Sequence, residues 1–194
     1  MCGSITHDKR HLRGITGWKN VLIISASPRK NGNSETLCDE FLKGAVEAGH
    51  DVEKVSLANK KIGFCTGCYA CTKLGKCVQD DDVQDILDKL VKAEVVLIAT
   101  PVYFYTMNGQ LKTLIDRTVP LYMKMQNKEF YFIATAADTN EAALERTFDG
   151  LRGFLDCYEG FVEKGSIYAA GVYEIGEVKN TKYMQEAYEM GKNI

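Results

Sequence analysis

Several things are missing from this chain, and each absence narrows what it is. No apolar run approaches the roughly 20 residues that a bilayer-spanning helix needs, so no membrane partner is expected. The 24 lysines and arginines are offset by 26 aspartates and glutamates, for a formal net charge of −2. With no concentrated basic stripe, nucleic acid is not expected as a partner. Residues 1–20 contain basic residues and glycines but no continuous apolar core, so export is not expected and the reading is cytoplasmic. Neither G-x-G-x-x-G nor a lysine-terminated phosphate loop occurs after the first apolar run, which disfavours a dinucleotide fold and an NTPase. His7, His11 and His50 have no mutual spacing that suits a metal or a dyad, and no Ser-His-Asp order is convincing. No catalytic side chain is therefore assigned. There is no internal repeat and no low-complexity stretch.

What is present fits one domain. At 194 residues and 45% apolar content, the chain can bury a single core, with residues 1–20 as an N-terminal extension and 21–194 as the domain. The extension reads either as a leader with no role of its own or as a segment that packs on a partner through Trp18, the only tryptophan. Apolar runs at 21–25, 95–99 and 130–135, with a looser one at 51–57 and another at 165–171, read as five strands. Five segments between and after them carry helical periodicity. They are the stretch after Ser34 (Leu37, Phe41, Ala45), the stretch after three aspartates at 80–82 (Val83, Ile86, Leu87, Leu90), residues 108–118, the stretch through Leu144, Phe148, Leu151 and Leu155, and a last one through Tyr183, Ala187 and Tyr188. The three aspartates read as a helix cap and dipole match. Alternation of this kind implies an α/β doubly wound parallel sheet, with ligands bound beyond the carboxyl ends of the strands.

The first such end is the most informative. Residues 21–36 (VLIISASPRKNGNSET) run from a buried strand through a Ser/Gly/Asn-rich turn into a helix. Unpaired amides and the positive end of the helix dipole make that junction an anion site. Ser27, Arg29, Asn33 and Ser34 are candidates to hold a monophosphate, against the alternative of an ordinary βα loop in which Ser34 is a cap and Arg29 a solvated charge. After the third apolar run, residues 100–109 (TPVYFYTMNG) place three aromatics in a row where a flat ring system can be walled in. One or more of them can equally close the core or an interface.

Cysteine is the residue in unexpected supply. Seven occur, an odd number, and Cys65, Cys68, Cys71 and Cys77 crowd into one glycine-punctuated loop. That fits metal or redox chemistry in a reducing compartment better than a disulfide framework. The first three have the spacing of a bacterial ferredoxin run, and four thiolates can surround a [4Fe–4S] cube. Zinc loops generally separate two cysteine pairs by a longer spacer, but soft thiolates do not exclude zinc, and reduced, packed cysteines remain the third reading. Spacing specifies capability, not occupancy. Cys2, Cys38 and Cys157 read as structural.

SASPRKNGNSET and TPVYFYTMNGQLKTLIDR together resemble the two signature stretches of the NADPH-dependent FMN reductase family, and the order of elements matches over about residues 20–192. The resemblance implies a flavodoxin-like five-stranded parallel sheet in the order 2-1-3-4-5. It implies that Ser27, Arg29, Asn33 and Ser34 hold the FMN phosphate, that Pro101, Val102, Tyr103 and Phe104 line the isoalloxazine, and that Thr135 and Asp138 of a third loop touch the flavin again. NAD(P)H is then the co-substrate, a small molecule or a protein the electron acceptor, and a homodimer the expected assembly, with a tetramer as the alternative. The four-cysteine loop is similar in spacing and placement to that of the iron–sulfur flavoprotein subgroup, which implies Cys65, Cys68, Cys71 and Cys77 as ligands of a [4Fe–4S] cluster. It also implies an alternative reading, a non-enzymatic or ferredoxin-coupled electron-transfer protein.

Overall fold

Strand residues alternate between two apolar layers, and this alternation organises the molecule. Along β1 (Asn20–Ser25), Val21 and Ile23 face one side, while Leu22 and Ile24 face the other. The same division continues in β3 (Val95–Tyr103), with Val95, Leu97 and Ala99 opposed to Val96 and Ile98, and in β5 (Glu129–Thr135), with Tyr131 and Ile133 opposed to Phe130, Phe132 and Ala134. A sheet buried on both faces requires such continuous apolar strands. The computed structural model describes residues 17–194. Cys2, His7, His11 and most of the expected N-terminal extension lie outside the described residues, whereas Trp18 is half-buried.

The strands pair in the order β2-β1-β3-β5-β6, all parallel, where β2 is Asp51–Ser56 and β6 is Val162–Ala169. Counting parallel strands alone, this is the expected 2-1-3-4-5. The additional strand is β4 (Thr106–Met107), which folds back antiparallel on the end of β3. One face of the sheet is covered by α1 (Asn33–Glu47) and α6 (Tyr183–Lys192), the other by α3 (Val83–Lys92), α4 (Gly109–Asp116) and α5 (Glu145–Leu155). A short α2 (Ala70–Leu74) interrupts the cysteine loop. No helix among the described residues is long and apolar enough to cross a membrane.

Two local features depart from simple expectation. The aspartates before α3 make no side-chain cap at Asp82. Instead Asp82 accepts the Lys61 amide at 2.6 Å, and Asp81 accepts the amides of Gly63 (2.9 Å) and Val83 (3.2 Å), tying the cysteine segment's entrance to its exit. Helices α1 and α6 approach so closely that a Cβ on Gly44 or Gly191 would lie 2.1 Å or 2.0 Å from the backbone oxygens of Tyr188 and Phe41. Only hydrogen fits at those two positions.

Candidate functional site

The rim of the sheet at the strands' carboxyl ends gathers the loops after β1, β3, β5 and β6 around one cleft of about 160 Å³. Its floor is polar. Ser27 turns back on its own loop, its Oγ accepting the Arg29 amide and donating to the Arg29 carbonyl, both at 3.2 Å. This folds the chain so tightly that a Cβ on Gly32 would fall 2.8 Å from Ser27 Oγ and 3.0 Å from the Arg29 oxygen. Helix α1 begins immediately afterwards with Gly32 as its cap, and no side chain caps it. The first-turn amides have no intrahelical acceptor, and the helix dipole adds positive potential at the same place. Buried Ser34 pairs with buried Thr135 of β5 through their hydroxyls at 2.7 Å, joining the first loop to the third.

The remaining expected residues are placed as follows. Arg29 is exposed at the cleft, its guanidinium donating to the Tyr173 carbonyl at 2.9 Å and lying 5.4 Å from the centre of that ring. Asn33 lines the cleft, but its side chain is engaged by the chain itself. It donates to the Glu174 carbonyl and accepts the amides of Gly176 and Val178, which orders the loop after β6. Pro101, Val102 and Tyr103 line the cleft wall. Phe104 does not line it. It is 99% exposed, and with Tyr105 it forms the two-residue turn between β3 and β4, with φ of 50° and 64°. That left-handed pair is the backbone of a type I′ hairpin, for which Asn-Gly is the usual choice. Two aromatics held there are strained, a condition that clusters at binding sites. Asp138 also lies off the cleft, its carboxylate accepting the Asn140 amide at 2.9 Å.

Several residues that complete the site carry little sequence signal. Asn108 is wholly buried at the start of α4. Its Oδ1 accepts the Leu111 amide at 3.2 Å, its amide donates to Thr100 Oγ1 at 3.2 Å, and its Nδ2 donates to the Ala26 carbonyl. One side chain thereby joins the rim loops after β1 and β3. Its sequence signal is an asparagine opening a helix, which reads as a cap and nothing more. Val172 and Tyr173 supply the far wall after β6, and their only signal is Gly171, whose φ of 73° turns the chain back over the rim.

Of the four cysteines, Cys77 lies against Arg117 at the carboxyl cap of α4, and Cys65 shares a groove with Lys112, Ile115 and Asp116 of that helix. Cys65 and Cys68 are exposed, Cys71 and Cys77 half-buried, and all four are free thiols. Hydrogen bonds from the Ala70 amide and the Thr66 hydroxyl hold the Cys68 thiol's pKa below its ordinary value, favouring the thiolate that binds metal. Among the described residues, no three His, Cys, Asp or Glu side chains are gathered closely enough to grip a metal ion. The backbone is left-handed at Gly67, Tyr69 and Gly75, which gives the loop its sharp turns. Cys38, by contrast, is in the core, and burial pushes its thiol up to about 12. Cys157, read from the sequence as structural, is exposed and shares a groove with Cys65.

A sequence profile described as NADPH-dependent FMN reductase matches residues 19–160. The chain belongs to that family. An iron–sulfur flavoprotein of Methanocaldococcus jannaschii is 38% identical to this FMN reductase family member over 136 residues, 69% of this chain and 70% of that one. Another, of Methanosarcina thermophila, is 29% identical over 174 residues, 88% and 91% of the two chains. A third, of Archaeoglobus fulgidus, is 42% identical over 97 residues, which spans 50% of this chain and less than half, 44%, of that relative. These relatives place the family member in the iron–sulfur flavoprotein subgroup. A solved NAD(P)H:quinone oxidoreductase from Methanothermobacter marburgensis superposes with a TM-score of 0.70 at 17% identity, covering 90% of this chain and 95% of that one. An azoreductase of Bacillus anthracis gives 0.72 at 16%, covering 91% and 100%. At such identities the likeness establishes the flavodoxin-like fold alone.

Membership makes this an FMN-dependent oxidoreductase. The rim fits the cofactor's chemistry. An uncapped helix start, a tight turn with Gly32 packed against Ser27 and the Arg29 carbonyl, and hydroxyls from Ser27, Ser34 and Thr135 suit a phosphate. The Pro101–Tyr103 wall suits a planar ring.

Proposed function

We propose that this oxidoreductase takes electrons from NAD(P)H and delivers them to an acceptor at the rim cleft, with the FMN phosphate on the Ser27–Ser34 turn and the ring system against Pro101, Val102 and Tyr103. The observation that carries this reading is the convergence of the loops after β1, β3 and β5 on one cleft with an uncapped helix at its floor. FMN, when bound, supplies the two-electron chemistry: a hydride taken from NAD(P)H and electrons passed on to a quinone, a flavin, a nitro compound or a protein. The chain's own residues bind and orient. Ser27, Arg29 and Ser34 address the phosphate, Thr135 fixes Ser34, and Asn33 holds the Tyr173 loop as the opposite wall. Hydride transfer itself asks for no protein acid or base.

The test is to mix anaerobic, flavin-loaded protein with NADPH and with NADH and follow flavin absorbance. Bleaching supports the reductase reading, and none with either nucleotide removes it. Ser27→Ala and Arg29→Ala should weaken FMN binding more than riboflavin binding, because only FMN carries the phosphate.

A second reading has its own observation, the four free thiols on one exposed loop, together with relatives named iron–sulfur flavoproteins. We propose that Cys65, Cys68, Cys71 and Cys77 hold a [4Fe–4S] cluster, their number and softness suiting it. Such a cluster, when bound, supplies single-electron exchange with a carrier protein such as a ferredoxin. Its assembly would draw the sulfurs together, because metal sites are commonly completed by the metal. Iron and acid-labile sulfide counted after anaerobic purification decide it. Exposed Phe104, Tyr105, Tyr122 and Met123 support a homodimer, with a tetramer as the alternative, and light scattering on the flavin-loaded chain distinguishes them.

A further inference from the structure

A buried guanidinium lies under the cysteine segment. Arg117, at the carboxyl cap of α4, is 2% exposed, an unusual place for a residue of this charge. Its Nη1 donates to Asp81 Oδ2 (2.7 Å), the Gly63 carbonyl (2.6 Å) and Gln79 Oε1 (3.2 Å), and its Nη2 to Asp81 Oδ1 (3.1 Å) and Cys77 Sγ (3.3 Å). These partners stand at both ends of the segment that carries the four thiols. Gly63 precedes Cys65, while Cys77 is the last thiol and Gln79 and Asp81 follow it. The same two ends are cross-tied without the arginine. Asp81 accepts the Gly63 amide, and Gln79 donates to the Phe64 carbonyl at 2.9 Å. A Cβ on Gly63 would lie 2.5 Å from Gln79 Oε1, so a larger residue there would displace the Gln79 side chain from its present bonds. One donor remains: Arg117 Nε is buried with no partner among the described residues.

An ion pair alone explains neither the sulfur contact nor the open donor. A guanidinium is not deprotonated in proteins, so Arg117 sets a permanent positive charge between the Asp81 carboxylate and the Cys77 sulfur. A fixed cation with N–H groups on a thiolate stabilises added negative charge at that sulfur, the means by which proteins raise the potential of a thiolate-bound cluster.

We propose that Arg117 is the positioning residue of the four-cysteine segment, clamping its two ends and donating to the Cys77 sulfur so that a bound cluster is retained and its reduction made easier. The proposal rests on the cluster reading above, and the experiment separates the two. The full chain is purified and reconstituted anaerobically as wild type, as Arg117→Lys, and as the charge-balanced pair Arg117→Gln with Asp81→Asn, which leaves no buried carboxylate unpaired. Potentials are read by spectroelectrochemistry, and iron loss to a chelator is timed. The balanced pair should reduce tenfold less favourably, which for a one-electron couple is about 59 mV lower, and should lose iron about tenfold faster. Arg117→Lys, which keeps the charge but not the fork, should recover most of the potential and little of the retention. No iron in the wild-type protein overturns the cluster reading and this proposal with it. A wild-type cluster whose potential and iron retention are unmoved in the balanced pair overturns the proposal alone. Should the pair fail to fold, Arg117→Lys decides on retention: iron loss at the wild-type rate is the refuting result.

Discussion

Replacing Asn108 by alanine tests whether one buried amide holds the rim together. Three consequences follow from its contacts. The Leu111 amide at the start of α4 loses its cap, worth about 1 kcal/mol. The buried Ala26 carbonyl, whose side-chain donor is Asn108 Nδ2, is left without it, at a cost of about 2 kcal/mol. Thr100 Oγ1 keeps the residue 108 amide and its own bond to the Pro101 carbonyl, so it adds little. The expected loss is about 3 kcal/mol, and with a urea m-value of about 2 kcal/mol/M the midpoint should fall by about 1.5 M. Asn108→Ser, which keeps a capping oxygen but cannot replace the amide donor, should lose about two-thirds of that. FMN affinity should fall along with stability, because the loops after β1 and β3 are no longer joined. The assay is urea unfolding of the flavin-free protein with an unchanged m-value, beside flavin titration. A midpoint shift below about 0.5 M would refute the claim that this side chain binds the two loops.

Three further outcomes are expected. Gly44→Ala and Gly191→Ala should each lower stability by about 1–3 kcal/mol through overpacking at the α1–α6 contact, although alanine is the better helix former by about 1 kcal/mol; a raised calorimetric Tm for either would show that the helices slide apart freely. Burial, then the nearby Lys19 charge, holds His50's pKa below its ordinary value, and its Nδ1 accepts the Lys19 amide at 3.3 Å. Stability from the neutral ring is therefore present above pH about 6.5 and lost as pH falls through that value toward the lower folded pKa, so His50→Gln should flatten the stability profile between about pH 7 and 5; wild-type and variant curves that run parallel would contradict it. Phe104→Asn with Tyr105→Gly installs the pair that the β3–β4 turn prefers and should raise flavin-free stability by about 1–2 kcal/mol while weakening flavin binding or turnover. Unchanged stability in urea would mean that the turn stores no strain.

The fold was legible because its determinants are local. Strands 21–25, 95–99 and 130–135 are apolar on both faces, which only a covered parallel sheet requires, and the glycine and serines of the first turn announce the tight bend that opens α1. The parts that escaped depend on partners far along the chain. Asn33 looks like a phosphate ligand beside Ser34, yet its amide is engaged by a loop 141 residues away. Three consecutive aromatics at 103–105 look like one wall, but a two-residue hairpin turns only Tyr103 inward. Asn108 reads as an ordinary cap and Arg117 as a cation complementing a helix end. Nothing in their neighbours along the chain signals the carbonyl of Ala26 or the thiol of Cys77.

Those two residues bracket the same helix. Asn108 precedes α4 and fixes the rim loops, Arg117 follows it and fixes the cysteine segment, and Leu111 and Leu114 bury the helix between them against the sheet. Eight residues at 1.5 Å each make a strut of about 12 Å. Packed in this way, the helix carries Asn108's bonds to the rim loops and Arg117's bonds to the ends of the cysteine segment on one rigid piece. An insertion inside α4 would rotate one end about 100° relative to the other for each residue added, which no adjustment in the loops could restore.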